Sequence, residues 1–194
     1  MTASDIDKAI ADAYLQRDEQ LRQVWKRSLP FDDAMVDRWE RARRLGFAEG
    51  ASIYGSSIVY GDVRVGANTW IGPNTLLDGS SGSLDIGAYC SISAGTQIYT
   101  HDTVLWAVSG GKQPKRSGSV SIADNVYIGS QCVIVPNVRI GTRVVIAANS
   151  LVNRDVADGT IVGGSPAKAI GRVVVTAGGH CELRFDSVAS RSND

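Results

Sequence analysis

Aliphatic residues recur at every sixth position through the central part of the chain. A composition that is 43% hydrophobic would place about six hydrophobic residues at these fourteen positions by chance, yet all fourteen are Ile, Val or Leu. A three-residue insertion separates the first run from the second, and a longer interruption, after which the repeat resumes in phase, separates the second from the third. The positions are Ile53, Val59, Val65, Ile71 and Leu77; Ile86, Ile92 and Ile98; and Ile122, Ile128, Ile134, Ile140, Ile146 and Val152.

Small or β-branched residues lie four positions after the aliphatic ones, and glycine often follows directly, as at Gly66 and Gly129. A period of six does not fit a helix face, but it accommodates three pairs of strand residues. Short extended segments broken by turns at this period wind into a coil with three flat sides, whose turns pair at the ~4.8 Å strand spacing. Glycine and asparagine supply the positive φ of the corners. The pattern therefore predicts an all-β solenoid, in which Cys90 and Cys132 are small buried residues.

The first 50 residues follow a helical pattern instead. Hydrophobic residues recur at helical spacing from Ile6 to Trp25 and again from Met35 to Leu45, and Pro30-Phe31-Asp32-Asp33 separates the two stretches. We predict two amphipathic helices that cap the open end of the coil, which would otherwise expose unpaired backbone groups. The predicted organisation is an N-terminal helical segment (1–50), a coil domain (51–172) and a C-terminal tail (173–194).

Composition excludes several classes of partner. The 20 basic and 20 acidic residues balance, so no electrostatic footprint for nucleic acid or an anionic membrane is present. No run of about 18 apolar residues predicts a membrane span, and the N-terminus lacks the pattern of a signal peptide. The cysteines are three in number and far apart, which argues against a disulfide framework and predicts a cytoplasmic protein.

The longer interruption is the first candidate for function. Residues 103–119 leave the repeat as a loop rich in Gly, Ser and Lys, and a loop on a rigid solenoid is a usual mount for a site. His101, one of two histidines in the chain, stands at its root. Imidazole titrates near neutral pH and can take a proton from an attacking hydroxyl or amine. His180 lies in the polar tail without such a context.

Three motifs resemble the hexapeptide-repeat acyltransferases, in particular the maltose and galactoside O-acetyltransferases and the O-acetyltransferases of polysaccharide synthesis. They are Tyr99-Thr100-His101-Asp102, Tyr127-Ile128-Gly129-Ser130 and Gly164-Ser165-Pro166-Ala167-Lys168. The resemblance covers about residues 50 to 172. It implies a left-handed parallel β-helix, acetyl-CoA as the donor without a metal, a sugar or sugar-nucleotide acceptor, and a homotrimer with sites between subunits.

The resemblance also implies roles for individual residues. His101 is the expected catalytic base. The adjacent Asp102 should point the other way along an extended backbone, and a carboxylate from a neighbouring coil, such as Asp78 or Asp85, or a backbone carbonyl would orient the histidine as well. The expected donor-binding residues are Tyr127, Gly129, Ser130, Ala148, Asn153, Arg154 and Lys168. The expected acceptor-binding residues are Trp70, Asn74 and Asp78.

The sequence can be compared with three other functions. An N-acyltransferase acting on an amino-sugar nucleotide would use the same fold, donor and base. A non-catalytic β-helix scaffold has no need of the histidine and its loop. A carbonic anhydrase of the same fold needs three histidines on zinc, and the chain has only His101 and His180.

Overall fold

The computed structural model describes residues 2–186 and contains four helices and seventeen strands. The helices are α1 Ala3–Trp25, α2 Phe31–Met35, α3 Arg38–Arg44 and α4 Val104–Val108. The strands are β1 Ser52–Ile53, β2 Ile58–Val65, β3 Trp70–Ile71, β4 Leu76–Ile86, β5 Ser91–Ile92, β6 Gln97–Ile98, β7 His101–Asp102, β8 Arg116–Ser117, β9 Val120–Ile122, β10 Tyr127–Ile128, β11 Val133–Ile134, β12 Arg139–Ile140, β13 Val145–Ile146, β14 Leu151–Val152, β15 Thr160–Gly163, β16 Lys168–Val175 and β17 Cys181–Phe185.

Parallel pairing arranges the short strands into a coil with three faces. Face 1 contains β1, β3, β5, β10, β13 and β15. Face 2 contains β6, β11 and β14 with the first parts of β2 and β4, and face 3 contains β9 and β12 with the last parts of the same two long strands. We call the corner after face 1 the first edge and the corner after face 2 the second edge.

The repeat positions form the core, as the sequence predicts. Like residues stack on like, for example Ile71 on Ile92 and Ile92 on Ile128, because successive coils pair in register. All fourteen aliphatic residues are buried except Val59, which is partly buried, and of the small or β-branched residues that follow them by four positions only Val63 and Ser81 are not fully buried. Most corners turn at a residue with positive φ, usually Asn or Gly, in the position before the small residue.

The N-terminal helices cap the coil mainly through α3. Ala42 of α3 and the following Phe47 belong to the core cluster, and the Arg41 guanidinium donates to the carbonyls of Tyr54 and Ser57 in the first coil. In contrast, no residue of α1 is buried. The start of the second predicted helix differs. Phe31–Met35 forms the separate helix α2, within the stretch predicted to separate the helices, and α3 begins only after Asp37, whose carboxylate accepts the N–H groups of Trp39 and Glu40.

An antiparallel unit closes the other end of the coil. β15 pairs antiparallel with β16, and β16 pairs antiparallel with β17. β16 therefore continues through residue 172, the predicted end of the coil domain. His180 lies in the turn before β17. Within residues 2–186, none of the helices combines the length and the apolar character needed to cross a membrane.

Candidate active site

Both interruptions of the repeat lie on the second edge. The three-residue insertion, which lies between the repeat positions Leu77 and Ile86, lengthens β4 where this strand passes from face 2 to face 3. The loop leaves in the next coil, after β6 on face 2, and returns at β9 on face 3. The two irregular segments are therefore neighbours, and together they build a projection on an otherwise uniform coil.

His101 sits where the two irregular segments meet. Its Nδ1 lies 2.8 Å from Oδ2 of Asp78, and 3.5 Å from Oγ of Ser80 in the insertion. The Asp78 side chain is 2% exposed, whereas that of His101 is 30% exposed. The buried carboxylate thus lies within ion-pair distance of a ring nitrogen of the partly exposed imidazole, although its Oδ2 makes no hydrogen bond of good geometry.

Asp78 keeps its charge in spite of its burial. Burial alone would raise the pKa of Asp78, but the hydrogen bonds from Ser80 and the charge of the His101 imidazolium outweigh it and hold this pKa below its usual value. The N–H of Ser80 donates to Oδ1 of Asp78 at 3.0 Å, so Oδ2 is left for His101. The pair has the chemistry of a carboxylate that orients a histidine base.

The other two carboxylates considered for this role have different partners. Asp102 accepts the guanidinium of Arg116 at 2.6 Å, and this hydrogen bond is the main reason why the pKa of Asp102 is lowered. Asp85 accepts Arg64 at 3.0 Å. The expectation that Asp102 points away from its neighbour agrees with this geometry, and Asp78 is the carboxylate that reaches His101.

Four of the expected donor residues lie together on face 1 and the first edge. Tyr127 is 45% exposed on face 1, and Ser130 and Ala148 are exposed at the first edge in successive coils. The N–H of Asn149 donates to the carbonyl of Ser130 at 2.9 Å, which holds these two coils together. Gly129 is buried because the backbone of the next coil touches it: an added Cβ would lie 2.5 Å from the backbone nitrogen of Ala148.

The remaining expected donor residues surround a cavity at the C-terminal end of the coil. Asn153, Arg154 and Lys168 line this cavity of about 550 Å³ together with Arg172. Asp155 and Asp186 are its acidic residues, and Oδ1 of Asp155 accepts the N–H of Arg139. Sequence reasoning missed Arg172, because it lies in the antiparallel unit outside the repeat.

The structure separates the expected acceptor residues. Asp78 contacts His101, but Trp70 lies on face 1, where it is in register with Ser91 and Tyr127. Asn74 turns the first edge with φ of 55°. Face 2 lies between these two residues and His101, so one chain does not bring Trp70, Asn74 and the histidine into one site.

Comparison with known proteins agrees with this description. The family model for the bacterial transferase hexapeptide (six repeats) matches residues 119–154. A chloramphenicol acetyltransferase of Morganella morganii is 38% identical over 45% of this chain and 50% of its own length. A UDP-3-O-acylglucosamine N-acyltransferase of Methylorubrum extorquens (strain PA1) is 36% identical over 65% of this chain and 36% of its own. The matches thus span half or less of the length of either curated relative.

A solved structure covers more of the chain. A hexapeptide-repeat-containing acetyltransferase from Vibrio cholerae O1 biovar eltor, complexed with acetyl coenzyme A, superposes with a TM-score of 0.61 and 29% sequence identity. The superposition covers 88% of this chain and 90% of that one. Together these findings confirm the resemblance to the hexapeptide-repeat acyltransferases and the predicted left-handed parallel β-helix with a helical N-terminal segment.

Proposed function

We propose that this protein is a CoA-dependent acyltransferase that moves an acetyl group from acetyl-CoA to a hydroxyl of a sugar or polysaccharide precursor, with His101 as the general base. The observation that carries the proposal is the contact between His101 and the buried Asp78 at the root of the loop. The acetyltransferase that superposes over most of the chain is itself an acetyl-CoA complex, which supports the choice of donor.

The histidine has the arrangement that proton transfer needs. Nδ1 faces the carboxylate of Asp78, so Nε2 is the nitrogen left to accept the proton of the acceptor hydroxyl. The charge of Asp78 stabilises the imidazolium that forms as the hydroxyl attacks. His101 then returns the proton to the leaving thiolate, and no covalent intermediate with the protein is required.

The residues at the C-terminal end of the coil fit the donor. Arg154, Lys168 and Arg172 bring three cationic groups to one cavity, which suits the phosphates of coenzyme A. On face 1 and the first edge, the exposed ring of Tyr127 offers a flat surface for the pantetheine arm, and Ser130 and Ala148 let it approach the backbone. Acetyl-CoA would supply the acetyl group as a reactive thioester, and the N–H of Ser130 is the first candidate to bind its carbonyl oxygen.

The split between the two edges supports a site between copies of the chain. His101, Asp78 and Arg154 lie on the second edge, whereas Tyr127 and Ser130 belong to face 1 and the first edge. In a closed threefold assembly with face 2 turned toward an axis parallel to the coil, the second edge of one subunit would face the first edge of the next. We therefore propose a homotrimer with three sites, each built by two chains.

An N-acyltransferase acting on an amino-sugar nucleotide is the second candidate. The match to a UDP-3-O-acylglucosamine N-acyltransferase over 65% of this chain favours it. The two candidates share the donor and the base. They differ in the acceptor, so His101 takes the proton from oxygen in one and from nitrogen in the other. For either one we expect a cytoplasmic protein, since Cys90, Cys132 and Cys181 are all free thiols.

The test is the release of free CoA thiol from acetyl-CoA over a panel of sugars, amino sugars and sugar nucleotides. We expect His101→Ala to lower turnover by about 10² to 10⁴, the usual contribution of a positioned base, with little change in CoA affinity. His180→Ala is the matched control, because His180 lies in the turn between β16 and β17, and it should keep wild-type turnover. Full activity in His101→Ala would place the base elsewhere.

A further inference from the structure

Lys115 reaches from the loop to the insertion beside His101. Its ammonium donates a hydrogen bond of 2.6 Å to Oγ of Ser81. Ser81 itself is fixed against the histidine segment, because its N–H donates to the hydroxyl of Thr100 at 3.2 Å. The neighbouring Ser80 is the residue whose Oγ lies 3.5 Å from the His101 ring. A short chain of contacts therefore links the lysine to the proposed base.

Lys115 directly precedes the strand that pairs with the His101 strand. β7 and β8 pair antiparallel, with His101 opposite Ser117 and Asp102 opposite Arg116. Side chains of directly opposed residues share a face, and the face changes with each residue along a strand. Asp102 and Arg116 thus form their ion pair on one face, whereas Lys115 lies just before β8 and approaches the insertion through its hydrogen bond to Ser81.

The charge of Lys115 is not neutralised in the described part of the chain. Among residues 2–186 its polar contact is with a neutral serine hydroxyl, and no carboxylate lies within ion-pair distance. Arg116 is already paired with Asp102, and the buried Asp78 faces His101. A cation held next to a reactive group without a counter-ion attracts an anionic group of a ligand.

The surroundings of the lysine suit a phosphate or carboxylate. The insertion contributes the hydroxyls of Ser80, Ser81 and Ser83 and the loop contributes that of Ser119; the Oγ atoms of Ser83 and Ser119 are 3.2 Å apart, and Ser83 also donates to the carboxylate of Asp85. Hydroxyls donate to anionic oxygens, and a lysine adds a charge-assisted hydrogen bond that is about twice as strong as a neutral one.

We propose that Lys115 determines acceptor specificity by binding an anionic group, a phosphate or a carboxylate, on the molecule that receives the acyl group. This inference rests on the proposed function and narrows its acceptor class. Neutral sugars would then be poorer acceptors than sugar phosphates, sugar nucleotides or acidic sugars. Lys115 would hold the anion while His101 takes the proton from a hydroxyl or amine elsewhere on the same acceptor.

The experiment compares the full-length wild-type protein with Lys115→Gln, Lys115→Arg and the control Lys112→Gln, a lysine in the same loop. With the protein saturated by CoA, calorimetry measures binding of paired probes: N-acetylglucosamine against its 1-phosphate, UDP against uridine, and glucuronate against glucose. We expect the anionic member of at least one pair to bind better. Lys115→Gln should weaken that member by about 10- to 100-fold, whereas Lys115→Arg and Lys112→Gln should keep most of the affinity.

Three results would overturn the inference. In the first, no anionic probe binds better than its neutral partner; in the second, Lys115→Gln leaves the anionic preference unchanged. In the third, Lys115→Gln weakens CoA itself, which assigns the lysine to the donor. Failure of the proposed function looks different, because the wild-type protein would then not bind acetyl-CoA or release thiol with any acceptor.

Discussion

The first and second edges of the coil are built from the same repeat but are used differently. The first edge is regular: Asn74, Gly95, Gln131 and Asn149 each turn the corner with positive φ in successive coils. The second edge follows this rule at Asn137 but is interrupted in two adjacent coils, at the insertion in β4 and at the loop. A regular edge gives an extended ligand a straight backbone track, and an interrupted edge gives reactive side chains a place to project. In the proposed site, the first edge would carry the pantetheine arm, whereas the second edge would carry the base together with Arg154, which would bind a phosphate.

The largest effect on the free energy of unfolding should follow from a substitution that separates the coils at the first edge. We expect Gly129→Ala to lower the free energy of unfolding by about 1 to 3 kcal/mol or more, because the new Cβ would collide with backbone atoms of the next coil rather than with a movable side chain. The control is Gly178→Ala, where an added Cβ would lie at an ordinary contact distance of 3.6 Å from the His180 ring. Urea unfolding measures both, and equal stability of the two variants would mean that the coils on the first edge are not tightly apposed.

The next largest effect is expected at the second edge, where a substitution should lower turnover rather than stability. We expect Asp78→Asn to reduce turnover by about 10²-fold, since the amide neither orients the imidazole in the same way nor stabilises its charge. Asp102→Asn is the matched control, because Asp102 binds Arg116 and not His101. A larger loss in Asp102→Asn than in Asp78→Asn would reverse the assignment of the orienting carboxylate.

The same carboxylate gives a pH signature. The pKa of Asp78 in the folded protein is lowered, so its contribution to stability is fully present above the ordinary aspartate pKa of about 3.9 and is lost as the pH falls through the lowered value. The difference in unfolding free energy between the wild type and Asp78→Asn should therefore shrink as the solution is acidified below about pH 4. A difference that stays constant over this range would contradict the charged state of Asp78.

The smallest effect is expected at the C-terminal cavity. Arg154→Glu should weaken CoA by about 10-fold, through loss of a charge-assisted contact with a phosphate. Dephospho-CoA distinguishes the two possible phosphate partners. If Arg154 binds the 3′-phosphate, Arg154→Glu should weaken dephospho-CoA less than CoA. If Arg154 binds the pyrophosphate, the substitution should weaken both ligands equally. Unchanged binding of both ligands would remove Arg154 from the donor site.

Much of this architecture can be predicted from the sequence, because a six-residue period leaves few ways to fold. The aliphatic positions become the buried stack, and the loop after Ile98 leaves the coil without disturbing it. The pairing of the insertion with the loop could also have been found. Leu77 and Ile98 occupy the same position in successive coils, so counting the repeats in threes puts both interruptions on one edge.

Other features depend on packing that no local pattern encodes. The choice of Asp78 over Asp85 follows from which carboxylate the insertion turns toward His101 and which one Arg64 occupies. The break at Asp37 follows from a side-chain cap that competes with a continuous helical pattern. The separation of Trp70 and Asn74 from His101 becomes visible only when the residues are assigned to faces, and the assembly of their edges into one site stays a prediction.

Mixed oligomers test the division between the two edges most directly. His101→Ala removes the base from the second edge, and Ala148→Trp blocks the exposed first edge with a bulky side chain; each variant alone should be nearly inactive. If each site combines the second edge of one chain with the first edge of the next, random co-assembly of equal amounts should restore about one quarter of wild-type turnover, since that fraction of sites joins two intact edges. Thiol release measures this recovery in the unfractionated mixture, and trimers purified through one tag on each variant should reach about one third, because each mixed trimer has one site in three with two intact edges. Turnover no higher than that of the separate variants would contradict the account, because both halves of the site would then belong to a single chain.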